Sequence, residues 1–155
     1  NAAASAWASA GFVNYYGLQR FGTGTVRTDE VGRRVLARDW SGTVALLLDP
    51  REHDSRVMDQ ARRYFKNTGD AGGAARMMPR GCVEQQLLWA LQRFGTDKHS
   101  AAFHDLASPM RMLYAHAYQS AVWNAAASRR VTEAGSDKVA EGDLVLVAEG
   151  EESGE

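Results

Sequence analysis

Cysteine is nearly absent from this chain: Cys82 is the only one in 155 residues. An internal disulfide framework is therefore excluded, and a reducing compartment is expected, intracellular in the nucleus or cytoplasm. No run of 18 apolar residues occurs, so no membrane-crossing helix is expected. The alanine-rich start lacks the basic flank and strongly apolar centre of a signal peptide. Lysine is scarce too, with Lys66, Lys98 and Lys138 set against 15 arginines. Proline occurs three times, at 50, 79 and 109, which leaves long stretches free to be helical.

Hydrophobic residues make up 45% of the chain and charged residues 24%, the balance of a globular protein with one core. The formal net charge of -1 conceals an uneven distribution. Residues 1–132 carry 17 basic against 11 acidic side chains, a balance of +6, whereas 133–155 carry one against eight. An arginine-rich body suits phosphate and base contacts, because the planar guanidinium pairs bidentately and stacks. The same excess is also what a GC-rich genome produces.

Hydrophobic periodicity predicts a series of helices. One starts at Thr28, read as a capping residue with Asp29 and Glu30 in the first turn, and carries Val31, Val35 and Leu36 on one face. Others are predicted over 41–48, 54–67, 82–94 and 100–107, and a long one from Ser108-Pro109 to 131. The glycine- and alanine-rich stretch 70–79 gives only a weak signal. Residues 12–17 read as an extended segment or tight loop, and 143–147 as a strand. The fold class is accordingly α+β, mainly helical, with a few strands near the two ends. The acidic end, 149–155, is expected to be disordered.

Generic chemistry motifs fail. Gly22-Thr23-Gly24-Thr25-Val26-Arg27 begins like a dinucleotide fingerprint but has Arg27 at the sixth position. His53, His99, His104 and His116 lack metal-ligand spacing and read as surface or capping residues, and no metal is expected. Cys82 sits near a helix start with no base beside it and reads as structural. The informative stretch is Asn14-Tyr15-Tyr16-Gly17-Leu18-Gln19-Arg20-Phe21-Gly22. It is either a buried aromatic turn or a pocket in which an aromatic face stacks on a base while polar groups read its edge.

That stretch resembles the signature of the TruD family of pseudouridine synthases. A second match is Ala117-Tyr118-Gln119-Ser120-Ala121-Val122-Trp123-Asn124, preceded by Met112-Leu113-Tyr114-Ala115-His116. Glu141-Gly142-Asp143-Leu144-Val145-Leu146 resembles the family's Gly-Asp-x-Leu strand start. Arg76-Met77-Met78-Pro79 and Val83-Glu84-Gln85-Gln86-Leu87-Leu88 resemble the eukaryotic branch. The matches keep the family's order over roughly residues 11–148.

The resemblance implies isomerisation of uridine to pseudouridine in RNA, with tRNA foremost and mRNA or snRNA as alternatives, and no cofactor or metal. It implies active-site support by Asn14 and Tyr16, with Gln19 and Arg20 contacting RNA or the active site; Arg20 has loop stabilisation as an equal alternative. Tyr118, Gln119, Trp123 and Asn124 are expected mainly to dock their helix against a sheet. The family's catalytic aspartate lies in a Gly-x-Lys-Asp-type motif, a context that none of the ten aspartates has. No catalytic residue is therefore expected within this chain, and the nucleophile is expected upstream of Asn1.

The chain reads as a central piece of a larger enzyme, inactive alone and prone to self-association through exposed edges. On this reading residues 1–27 belong to the catalytic domain, 28–107 form a helical insertion, 108–148 return to the catalytic domain, and 149–155 are the acidic end. The alternatives are a non-catalytic, arginine-rich RNA-binding module and a helical protein-interaction domain.

Overall fold

Eight helices and no strand make up the described residues of the computed structural model, which are 12–136 and 138–145. The helices are α1 (Leu18–Phe21), α2 (Thr28–Leu36), α3 (Trp40–Leu48), α4 (Arg56–Thr68), α5 (Ala71–Met77), α6 (Val83–Phe94), α7 (His99–His104) and α8 (Ser108–Ala134). They divide into two units. One is Tyr16–Val122; the other takes the chain up to Tyr15 and from Trp123 onward, so α8 is shared between them.

Within Tyr16–Val122 the helices pack largely on their neighbours in sequence: α2 on α3, α4 on α5, α5 on α6, and α6 on α7. α3 closes the array by packing on α7 and α6. The core is built from Val31, Val44, Leu47, Leu48, Leu87, Leu88, Leu91, Phe103 and Tyr114, with alanines of α4 to α7 filling the gaps.

Local chemistry explains most of the boundaries. Asp39, Ser55 and Asp70 accept bonds from the N–H groups of Gly42, Met58 and Gly73 and so cap α3, α4 and α5. Gly69, left-handed at φ 69°, ends α4 where a side chain would be strained. Pro109 lies in the first turn of α8, where its missing N–H costs nothing.

Four sequence expectations change. Arg27, not Thr28, occupies the N-cap position of α2, and Thr28 instead donates its hydroxyl to the Phe21 carbonyl at 3.2 Å. Residues 12–17 are irregular, as an extended segment or loop would be, and 18–21 form a helical turn, so the strand expected near this end is not found among the described residues. The weak stretch at 70–79 contains a complete helix, α5, in which Ala71, Gly72, Ala74 and Ala75 are all buried. Glycine is a poor helix former in isolation; here it is tolerated because small side chains let the neighbouring helices come close, and because Gln92 Oε1 accepts the Gly72 N–H at 2.9 Å.

Residues 143–145 form no strand. A strand requires a partner across a hydrogen-bonded ladder, and no described segment supplies one. The remainder of that expected strand and the acidic end lie outside the described residues.

A charged cluster sits inside the Tyr16–Val122 unit. Arg62 is fully buried, with Nε 3.0 Å from Asp54 Oδ2 and Nη2 donating to Glu84 Oε1 at 2.8 Å. It also donates to the carbonyls of Leu47 and Asp49 at the end of α3. Arg51 caps the same end through the Leu46 and Leu47 carbonyls, at 3.2 and 3.0 Å. Burial, then the like charge of Arg62, pushes the Arg51 pKa down. Burial, then the nearby Glu84 carboxylate, pushes the Tyr114 hydroxyl up to about 12, so it stays neutral at any physiological pH.

α2 and α8 meet at Gly32. A methyl group there would overlap the Tyr114 carbonyl and crowd Tyr118 Cβ, so only glycine permits this approach.

Candidate active-site segment

The stretch 14–22 divides at its second tyrosine, and each part is held differently. In the unit containing residues up to Tyr15, Trp123 projects from α8 and its indole N–H donates to the Asn14 main-chain carbonyl at 2.7 Å. One turn and a residue further along α8, Ser128 Oγ lies 3.1 Å from the Tyr15 hydroxyl. Two side chains of α8 therefore fix the backbone and ring of 14–15. The Trp123 bond engages the main-chain carbonyl of Asn14 rather than its side chain.

In the Tyr16–Val122 unit, the Gly17 carbonyl accepts the N–H groups of Arg20 and Phe21, which starts the turn of α1. That turn brings the Arg20 guanidinium to 5.4 Å from the Tyr16 ring centroid, a cation–π contact. Tyr16 is exposed and Arg20 half-buried, so both face outward on one short turn. Phe21 turns inward and is buried. Arg27 covers its ring at 4.9 Å while pairing with Asp29 at 2.9 Å. Gly22, at φ 76°, ends the turn in a conformation that favours glycine. Gln19 is exposed. Asn14 thus lies on a stretch braced by α8, and in the Tyr16–Val122 unit Tyr16, Gln19 and Arg20 lie at an outward-facing turn rather than a buried aromatic one.

The Gly-Asp-x-Leu segment is clasped to the end of α8. Arg130 donates Nε and Nη2 to the two oxygens of Asp143, at 2.7 and 2.5 Å, in a bidentate pair. Its remaining donors reach the Gly135 and Lys138 carbonyls, and the Ala140 N–H donates to Asp143 Oδ2 at 2.8 Å. The Arg130 guanidinium, then the Ala140 N–H, holds the Asp143 carboxyl down at about 2. Asp143 is thereby a structural anchor. Nothing in the sequence pattern singles out Arg130, although it lies only six residues beyond the second family-like segment.

The aspartates as a group are engaged in folding. Asp39 and Asp70 cap helices. Asp29, Asp49, Asp54, Asp59, Asp97, Asp105 and Asp143 pair with Arg27, Lys66, Arg62, Arg63, Lys98, Arg93 and Arg130 respectively. Asp137 lies outside the described residues. Cys82 serves as the N-cap of α6, its Sγ accepting the Gln85 N–H at 3.4 Å, and burial pushes its pKa up, away from reactivity. His104 Nδ1 bonds the Ser100 carbonyl at 2.8 Å. Among the described residues no group of three His, Cys, Asp or Glu is placed to hold a metal ion, and no helix is long and apolar enough to cross a membrane.

The second family-like segment is less of a core helix than expected. Tyr118 is half-buried, but Trp123 is 52% exposed and Gln119 is exposed. The buried residues of α8 are Tyr114, Ala117 and Ser120, which make a narrow stripe. Trp123 acts as a hydrogen-bond donor to the signature segment, a role invisible in periodicity because it joins residues 109 positions apart.

Comparison with known proteins places this geometry. The family model for tRNA pseudouridine synthase D (TruD) matches residues 1–154. The mouse pseudouridylate synthase 7 homolog is 42% identical over 138 residues, which cover 88% of this chain and 21% of that protein. The multisubstrate pseudouridine synthase 7 of Schizosaccharomyces pombe is 40% identical over 141 residues, 90% of this chain and 21% of that protein. The chain thus spans about a fifth of the length of these relatives.

A crystal structure from Methanosarcina mazei, provisionally assigned as a tRNA pseudouridine synthase D, superposes with a TM-score of 0.65 at 24% identity. It covers 83% of this chain and 30% of that one, and shows a shared fold. The braced Asn-Tyr-Tyr-Gly segment, the α8 segment that holds it and the clasped Gly-Asp segment all fall within the matched span, and this chain belongs to the TruD family, in its eukaryotic type.

Proposed function

We propose that this chain is part of an RNA pseudouridine synthase, which isomerises uridine to pseudouridine with tRNA as the foremost substrate. The observation that carries the reading is the signature segment itself. Its backbone is fixed by Trp123 at Asn14, while Tyr16 and Arg20 face outward together on one turn. An exposed aromatic face beside a guanidinium suits a nucleotide, because the ring packs on the base and the cation meets phosphate or carboxylate.

Asn14 orients the base or the catalytic aspartate, and Tyr16 packs against the target base. Gln19 and Arg20 make the adjoining contacts. The reaction breaks the glycosidic bond and rejoins the rotated uracil to the ribose through carbon. The catalytic carboxylate comes from outside these 155 residues. That assignment is supported by the nine described aspartates, each of which is spent on a cap or an ion pair.

In the full-length protein, Tyr16→Ala should lower turnover of a uridine-containing RNA by about 100-fold, the scale of a lost positioning contact. RNA affinity should fall far less. Equal losses of turnover and affinity would favour a binding role without chemistry. The 155-residue chain alone should show no isomerisation, and turnover by it would overturn the placement of the carboxylate.

A further inference from the structure

We propose that the groove between the start of α4 and the α5–α6 turn is a second contact for single-stranded RNA, in which a base stacks on Trp89 and the backbone runs past Arg76 and Arg80. The inference rests on the reading of the protein as an RNA enzyme, but it concerns a surface other than the signature segment.

The groove has a volume of about 690 Å³, within the range of clefts that receive small-molecule-sized groups. Its walls include Ser55, Val57, Met77, Trp89, Arg76 and Arg80, and no carboxylate among the described residues. Trp89 is 42% exposed on α6, although the flanking Leu88 and Ala90 are sealed in the core. The helix therefore turns a large flat apolar ring toward solvent, where Val57 and Met77 are also partly exposed.

Most arginines of this protein are spent on carboxylates: Arg27, Arg34, Arg51, Arg62, Arg63, Arg93, Arg129 and Arg130 all form ion pairs. Arg76 and Arg80 enter no ion pair within 4.0 Å among the described residues, and both are exposed. Arg76 acts on Asp70 only through its charge.

The turn that presents them is rigid. The Gln85 side-chain amide donates to the carbonyls of Ala75 and Met78, at 3.0 and 3.4 Å, and its carbonyl accepts the Gly81 N–H at 2.9 Å. Both ends of the 78–81 turn are thus tied to α6, which prepays the ordering cost of binding. Ser55 caps the N-terminal end of the 13-residue α4, so the positive end of that helix dipole adds to the arginines.

An acid-free wall, two uncommitted guanidinium groups and an exposed indole face match the requirements of sequence-tolerant single-strand binding. Such binding combines base–aromatic stacking with phosphate contacts.

The test is the affinity of the full-length protein for a uridine-containing single-stranded RNA of 20 nucleotides, by fluorescence anisotropy over a range of salt, with turnover measured in parallel. Trp89→Leu should weaken binding by roughly ten-fold, as loss of a base-stacking ring does. Trp89→Phe should keep most of the affinity. Arg80→Ala, on an exposed side chain that the fold does not use, should lower the slope of log K against log salt by about 0.7, one phosphate contact on a single strand.

Wild-type affinity and slope in both Trp89→Leu and Arg80→Ala, with turnover intact, would overturn the groove and leave the enzyme reading standing. A loss in Trp89→Phe as large as that in Trp89→Leu would overturn stacking. If the wild-type protein neither binds nor turns over RNA, both readings fall.

Discussion

The unit Tyr16–Val122 and the unit formed by residues 12–15 with 123–145 solve the same problem by different physics. The first buries apolar side chains from seven helices, α2 to α8, and places a network of Arg51, Arg62, Asp54 and Glu84 among them. The second is held by directed polar bonds: the Trp123 indole on Asn14, Ser128 on Tyr15, and the Arg130 clasp on Asp143. It leaves Val139, Leu144 and Val145 exposed. Burial is cooperative, so the first unit should respond to damage as a whole. Isolated hydrogen bonds act locally, so the second should respond piece by piece.

The largest effect is expected at Arg62. Arg62→Met keeps the volume but strands Glu84 and Asp54 in the interior, and breaking a buried ion pair from one side costs about 3–5 kcal/mol. Arg51, 3.9 Å from Glu84, offsets part of this, so the lower end is expected. Urea denaturation should show the midpoint falling in a single transition. A loss below about 1 kcal/mol would mean that the network does not hold the helices together, and the contrast between the units would fail.

A smaller effect is expected at Trp123. Trp123→Phe removes one donor from an exposed bond, worth about 0.5–1.5 kcal/mol. Amide hydrogen exchange should quicken at residues 14–16 while the protected amides of α5 and α6 stay unchanged. Equal quickening everywhere would show that the signature segment and the helical core unfold as one.

The smallest is the pH response of the Asp143 clasp. Its carboxyl is held down at about 2, below the ordinary value of 3.8. Its contribution is therefore fully present above about pH 3.8 and is lost as the pH falls through about 2. An NMR carboxyl titration should place the Asp143 midpoint near 2, and Arg130→Gln should return it toward 3.8. A midpoint near 4 in the wild type would show that the clasp is open in solution.

Legibility followed the range of the forces involved. Amphipathic runs such as Val83, Leu87, Leu88 and Leu91 revealed α6, and Ser108-Pro109 revealed the start of α8, because periodicity and capping act over a few residues. α5 was obscured because glycine and alanine carry little pattern, and it forms through close packing with α4 and α6. The signature at 14–22 stood out by composition and resemblance. What braces it did not, since Trp123 lies a hundred residues away and reads as one more apolar residue on a helix.

By itself, then, the sequence determined most of the run of helices, the start of α8 at Ser108-Pro109, the family and the signature segment, all of which depend on neighbours in the chain or on residue identity. Only the tertiary structure decided which arginines are spent and which remain available. Arg62, Arg76, Arg80 and Arg130 are equivalent as letters, and their roles depend on whether the fold brings a carboxylate within reach. It likewise decided that Asp143 anchors rather than reacts, because a carboxylate pinned between a guanidinium and a backbone N–H has its charge already satisfied.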